Sequence, residues 1–583
     1  MKKFIAVVLT LLLVLSLAAC GNGGTSGGGS TPAPSGGDSA GGEDTPDAAE
    51  LVSDAFIDPL GAWSQYDELI AQIKAETDFA HRTELMHQAE DILMATNCVI
   101  PIYYYNDIYL QKDYVDGIYS NPYATKFFMY TKLANDSDTL RLNLSSEPDY
   151  LDPALNSSVD GACLAANSFS GLYTYDASGV PVPACATGYE VSEDGLTYTV
   201  TLKEGLKWSD GTDLTAEDFV YSWKRAASDD TGADYAYMYD NFKGFPDIDV
   251  SAPDATTFVF TLNAPCAYME DLMAFPTFFP VQKACVEASA TPDAPGAWCQ
   301  EAGFVSNGAY VCTGWDHEQS MTYEKNPYWY DADKVTVEKL EYMLSADDTA
   351  IYAAYNAGDL DFADAVPTDE VASLLDNPEF HIVDELGTYY VAFNAKSKIF
   401  EGKTPEQAAC MREAFTIMID RDYIVENIGQ TGQVIANSFI PLGMADGNGG
   451  IFKSDASVGY FESKGVNDDY EGTLEKARTL LKAAGYTFGE DGKLTADTPI
   501  QLEYITNPTS GHIAIAESVQ QDLAALGIEL TIEQQEWNVF LEERKAGNFD
   551  FAREGWIADF NDPINMLEMW TTVSGNNDCQ FGR

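Results

Sequence analysis

Few side chains in this sequence are spaced for chemistry, and the best placed is Cys20. It directly follows Leu17-Ala18-Ala19, and Met1-Lys2-Lys3 and an apolar run from Phe4 to Leu17 come before it. A charged start, a short apolar stretch and small residues at the cut make a secretory signal, too short for a membrane span. A thiol at that cut is the lipid acceptor of a lipobox. The alternative is a plain cleavage site with a chance cysteine, but the polar tether that follows fits lipidation better. The histidines make no metal site: His81 and His87 stand six apart on different helix faces, and no His-Glu-x-x-His occurs. No strand leads into a Gly-x-Ser-x-Gly elbow, and there is no Gly-x-x-x-x-Gly-Lys-Ser/Thr phosphate loop. With 92 carboxylates, acidic pairs arise by chance, so spacing alone identifies no glycosidase pair. No cofactor and no metal is implied. The nine cysteines after Cys20 show no Cys-x-x-Cys spacing; Cys285 and Cys299 could bridge, or all could be buried free thiols.

The elements that must position any site begin after a tether. Residues 21–61 form a flexible linker, rich in Gly, Ser, Pro and Asp as far as about Asp47. Such a coil reaches roughly 30 Å and would hold a globular body just off a membrane. The chain of 583 residues is long enough for two or more lobes, and 45% hydrophobic content with 12% aromatics is that of a globular protein. A net charge of −60 repels nucleic acid phosphates and anionic head groups, so nucleic acid is excluded as a partner.

Periodicity predicts helices over 66–76 and 81–96, then strands at 99–105, 127–130 and 140–144. Strands at 197–203, 257–262, 339–344 and 528–532 alternate with helices at 215–223, 406–419, 473–484 and 513–526. Thr215 is the expected N-cap of its helix, with acids in the first turn, and Gly527 ends the last one. This mixture means α/β or α+β lobes.

Seven segments in register carry a family resemblance. Residues 139–180 (LRLNLSSEPDYLDPALNSSVDG and onward) look like a mature N terminus, and LKEGLKWSDGTDLTAEDFVYSWKR (202–225) is the most recognisable stretch. GAYVCTGW (308–315), YEKNPYWYDADK (323–334), YYVAFN (389–394), MREAFTIMIDRDYI (411–424) and GWIADFNDP (555–563) follow in order. Together they resemble the extracytoplasmic oligopeptide/dipeptide-binding proteins of ABC importers, bacterial solute-binding protein family 5. RTELMHQAEDILMATNCVIPIYYYNDIYLQKDYVDGIYSNP (82–122) resembles the family's C-terminal end but stands at the front. The family order therefore reads as circularly permuted, with old ends joined through Ala134–Asp138 and new ends between Arg583 and about Trp63. A truncated or wrongly assembled gene, giving a non-functional product, and a domain-swapped dimer are the alternatives.

The resemblance implies a two-lobed periplasmic-binding-protein-like α/β fold (type II, cluster C) with an extra domain, closing on ligand. Lobe I would take 109–133, 134–160 and 281–387; the extra domain 161–280; lobe II 62–108 and 388–583. It implies a non-enzymatic receptor, lipid-anchored on the outer face of the cell membrane, whose partners are a peptide and the permease subunits of an ABC transporter. Other cargo (dipeptides, nickel chelates, haem, oligosaccharides) and an extracellular hydrolase are the rival readings. By the same resemblance, Asp559 pairs with the peptide ammonium and Arg553 is a site residue whose planar fork suits a carboxylate. Glu147 matches a ligand-contacting acid, Tyr235 and Trp537 match aromatics beside the peptide, and His512 aligns near its carboxyl end. Gly555 would allow close backbone approach. Structural roles compete: a helix-capping acid for Asp559, an ion pair with Asp550 or Glu554 for Arg553, and plain core for the aromatics. All of these residues lie outside 62–133, which is expected to complete sheets rather than touch ligand.

Overall fold

The computed structural model describes residues 46–148, 150–453 and 469–583; the Cys20 motif and the tether up to residue 45 lie outside these. The architecture rests on a six-stranded mixed sheet, in the order Phe362–Ala363, Val99–Gln111, Phe380–Phe393, Phe551–Ile557, Gln501–Thr506 and Glu529–Gln534. Val99–Gln111 is rich in Ile and Tyr, which suit a pleated, half-buried surface. It runs on well past the expected 99–105 and pairs antiparallel with Phe380–Phe393, from Val99 opposite Ala392 to Leu110 opposite Phe380. Pro101 lies inside this central strand, and the register shifts immediately after it, between Pro101 and Tyr103.

Two further four-stranded sheets flank this one. Val250–Asp254, Thr257–Thr261, Thr197–Leu202 and Ala186–Val191 form an antiparallel sheet. Tyr310–Asp316, Ser320–Lys325, Lys339–Leu344 and Thr139–Leu144 form another, its last pair parallel, with Lys339 opposite Thr139. One core cluster runs through both of these sheets; another fills the space between the six-stranded sheet and the helices Pro405–Met418, Tyr470–Ala483 and Ser510–Ala524. The helix Ala216–Ala227 begins in a Thr215/Asp218 capping box, as expected. Gly527, at φ +82°, turns the chain out of its helix into the strand Glu529–Gln534.

The sequence-based expectations differ from the structure elsewhere too. The expected strand 127–130 shrinks to Lys126–Phe127, because the Phe128 N–H donates to the Asn167 side chain instead of to a neighbouring strand. The expected linker 21–61 is already ordered from residue 46: Ala48 is buried, and its carbonyl accepts from the Cys410 thiol at 3.7 Å. Cys285 and Cys299 do not bridge; the nine described cysteines are free thiols and seven of them are buried.

The front module docks on its own chain. Trp63 stacks on Phe581 (4.3 Å) and Tyr66 (4.5 Å), and its indole N–H donates to the Trp570 carbonyl at 2.8 Å. Asp67 accepts from the backbone and hydroxyl of Thr572, and Arg82 pairs bidentately with Asp562, both bonds 2.8 Å. Trp63 is 1% exposed. We expect Trp63→Ala to cost about 3–5 kcal/mol, the usual price of deleting a buried large aromatic, as a lower midpoint in denaturant unfolding.

Candidate functional site

A cleft with about 740 Å³ of empty space, part of it open to solvent, lies where three distant segments converge. The strand end Gly555–Asp559 forms one wall, and Asn156–Val159, at the start of the helix Val159–Ser168, forms another. The third wall is the turn Asn121–Phe127, which belongs to the front module. Tyr235, Tyr175 and Phe275 close the cleft, and no Lys, Arg or His lines it.

Asp559 is the charged group of this cleft. Its carboxylate accepts from Asn565 Nδ2 at 2.8 Å and from the Tyr235 hydroxyl at 3.2 Å. Among the described residues no base forms an ion pair with it. Burial pushes its carboxyl up to about 7, against the downward pull of Asn565 and Tyr235. The capping role falls to Asp562 instead, which accepts from the Ile564 N–H at 3.0 Å.

Arg553 and Gly555 share one face of the strand Phe551–Ile557, and Arg553 stands back from the cleft. Its guanidinium lies 5.5 Å from the Tyr389 ring centre and 6.0 Å from that of Trp537. His512 Nδ1 is 3.3 Å from the Tyr389 hydroxyl, and burial together with the Arg553 charge holds this imidazole neutral, far below its usual range. The acids offered as partners for Arg553 are engaged elsewhere: Glu554 pairs with Arg544 at 2.5 Å, and Asp550 binds Ser397 at 2.6 Å. Among the described residues, Arg553 Nε and the neighbouring Trp537 Nε1 are buried donors with no hydrogen-bond partner. Two such donors suit a ligand group that brings acceptors.

The structure thus sorts the expected site residues. Tyr235, Gly555 and Asp559 line the cleft; Arg553 sits by Trp537 and Tyr389, and His512 packs on Tyr389. Glu147 joins neither, being held by His317 Nδ1 at 2.7 Å and the Glu318 N–H at 2.9 Å. At Gly555 a Cβ would fall 2.1 Å from the Tyr105 hydroxyl, so the close approach there comes from the front strand. The expectation that 62–133 keeps away from the cleft fails, because Asn121, Tyr123, Thr125 and Phe127 line it. Nothing in their local sequence signals this; long-range strand pairing puts them there.

A scan against family models matches residues 180–578 to "Bacterial extracellular solute-binding proteins, family 5 Middle". The chain belongs to this family. It is 33% identical over 459 residues to the oligopeptide-binding protein OppA of Bacillus subtilis, covering 76% of this chain and 78% of that one. It is 30% identical to the periplasmic oligopeptide-binding protein OppA of Salmonella typhimurium, covering 76% and 79%. Among solved structures, OppA of Burkholderia pseudomallei superposes with a TM-score of 0.67 at 26% identity, covering 76% of this chain and 85% of that one. The murein tripeptide-binding protein MppA of Escherichia coli gives 0.66 at 28%, covering 76% and 84%. The fold is therefore the two-lobed α/β fold of these binding proteins, and the chain is a solute-binding protein, not an enzyme. Among the described residues no helix is long and apolar enough to cross a membrane.

The raised Asp559 carboxyl has a consequence for stability. The folded value of about 7 lies above the ordinary 3.8, so the ligand-free fold loses stability as pH rises from about 4 to about 7. Asp559→Asn removes that loss. We expect it to be near-neutral at pH 4 and stabilising by on the order of 3 kcal/mol at pH 8, in denaturant unfolding at the two pH values.

Proposed function

We propose that this protein is the lipid-anchored receptor of an ABC importer and captures oligopeptides by closing two lobes on them. One observation carries the reading: the strand Phe551–Ile557 and the residues just after it join a buried carboxylate, Asp559, to a half-buried guanidinium, Arg553, whose Nε is buried, and among the described residues neither forms an ion pair. An uncompensated buried charge is costly, and a zwitterionic ligand lying along the strand supplies both missing charges. A peptide has an ammonium for Asp559 and a carboxylate for Arg553, with neutral His512 and the unpartnered Trp537 indole N–H near the latter. The names of the relatives, oligopeptide-binding and murein-peptide-binding proteins, point the same way. Haem and oligosaccharides bring no ammonium to Asp559. Cys20 would carry the lipid and the tether would set the distance from the membrane.

On this reading lobe I takes 109–160 and 281–387, the extra domain 161–280, and lobe II 62–108 with 388–583. The front module is the family's C-terminal module in a permuted position. Support comes from where it lies: the Gly582 N–H donates to the Pro59 carbonyl at 2.9 Å, and Phe581 stacks on Trp63. At the other end only a short turn separates Lys132–Leu133 from Thr139–Leu144.

Calorimetry with a tetrapeptide and its N-acetyl derivative tests the ligand. Asp559→Ala should weaken the free-amine peptide by about 2–5 kcal/mol and the acetylated one far less. Equal losses would remove Asp559 from ammonium binding. A chain that starts at Thr139 and joins Arg583 to Trp63 should fold and bind the same peptides within about threefold, a difference under 1 kcal/mol. Aggregation of this rejoined chain would argue against the permutation.

A further inference from the structure

We infer that the cleft beside Asp559 selects peptides whose first residue has a cationic side chain. This rests on the peptide reading above and deepens it. The reasoning is a count of charges around one cavity.

Two carboxylates, one lining the cleft and one directly behind its wall, form no ion pair among the described residues. Asp559 is the first. Asp271 is the second: its Oδ1 accepts from the hydroxyls of Tyr123 and Tyr175, both at 3.0 Å, and both tyrosines line the cleft. Among the described residues Asp271 forms no ion pair, and burial pushes its carboxyl up to about 6. The acids packed near the two are accounted for. Glu568 pairs with Lys74 at 2.6 Å and Asp562 with Arg82 at 2.8 Å. Glu270 accepts from the Tyr189 hydroxyl at 2.9 Å, and Tyr189, unlike the two tyrosines on Asp271, does not line the cleft. The fold has thus given bases to Glu568 and Asp562 and withheld them from Asp559 and Asp271.

A peptide α-ammonium neutralises one of the two. The second positive charge must come from a side chain that starts at the same residue, because that residue lies in the cleft with its ammonium. The walls suit such a group. Tyr123, Tyr175, Tyr235, Phe275, Phe127 and Trp556 present aromatic surface, over which a lysine or arginine head is attracted and along which its methylene stem packs. The helix Val159–Ser168 also begins at the cleft and would favour an anion. However, its Gly161 N–H is already capped by the Ser158 hydroxyl, and Asp160 stands in its first turn. The two unpaired carboxylates outweigh it.

The test compares three peptides on the full protein by calorimetry: Lys-Ala-Ala-Ala, norleucine-Ala-Ala-Ala and Glu-Ala-Ala-Ala. Norleucine keeps the stem of lysine and lacks its charge. The lysine peptide should bind about tenfold more tightly than the norleucine peptide, and the glutamate peptide most weakly. In Asp271→Asn the lysine-to-norleucine ratio should fall to about threefold or less. Equal affinities for lysine and norleucine on the unmodified protein, or tighter binding of the glutamate peptide, would overturn the inference and leave the peptide reading standing. Binding of none of the three would overturn both.

Discussion

The antiparallel pairing of Val99–Gln111 with Phe380–Phe393 places every part of the site. Its register puts Tyr103 on Tyr389, stacked at 4.9 Å, and brings the Tyr105 hydroxyl against Gly555. Where the ladder opens, the Leu386 N–H donates to the Pro122 carbonyl at 2.9 Å, while the Leu386 carbonyl accepts from the Ala558 N–H at 2.7 Å. One residue thereby fixes the turn 121–127 and the backbone beside Asp559 together. A one-residue slip would send every side chain of the strand to the opposite face. Tyr105 would leave Gly555, and the cleft would lose one of its three walls. Burial on both faces of this sheet makes such a slip expensive.

The same rigidity lets the site hold charged groups that form no ion pair among the described residues. Around the cleft, buried acids and bases are matched: Arg82 with Asp562, Lys74 with Glu568, Arg544 with Glu554. Asp559, Asp271 and Arg553 break that pattern. A looser wall would relax around an unpaired carboxylate by admitting water or turning the side chain out. Here Asn565 grips Asp559 twice, through its carboxylate and through its backbone N–H, and Tyr235 holds it from a distant segment. On the proposed reading this local cost is removed by the ligand and becomes affinity.

Much of this was legible in the sequence, and the reasons differ by element. Helices and strands with strong periodicity fell within a few residues of their positions, as at Lys339–Leu344 and at the Thr215 cap, because local propensity and tertiary packing agree there. Asp559, Tyr235 and Gly555 were found through motif resemblance, and Arg553 was ambiguous because Asp550 and Glu554 stand beside it. Only the observed pairs of those two acids resolve it. Asp271, Tyr123 and Tyr175 could not be found at all. Their convergence depends on three segments far apart in the chain, and no local pattern encodes it. Glu147 matches by motif position and stands apart from the cleft, its carboxylate held by His317 and the Glu318 N–H.

The position of the front module bears on folding rather than on the final structure. A native sheet is set by which strands pair, and chain order enters only through the connections. On the proposed reading both connections are undemanding, given the short turn between Leu133 and Thr139 and the contact of Phe581 with Trp63. What changes is timing. Val99–Gln111 is synthesised before Phe380–Phe393, the strand it needs, and a strand with unpaired edges and exposed tyrosines is prone to associate wrongly. Its neighbouring helices Ser64–Ala75 and Phe79–Ala95 cannot shelter it, since their buried faces pack on Leu567, Trp570 and Phe581 from the end of the chain.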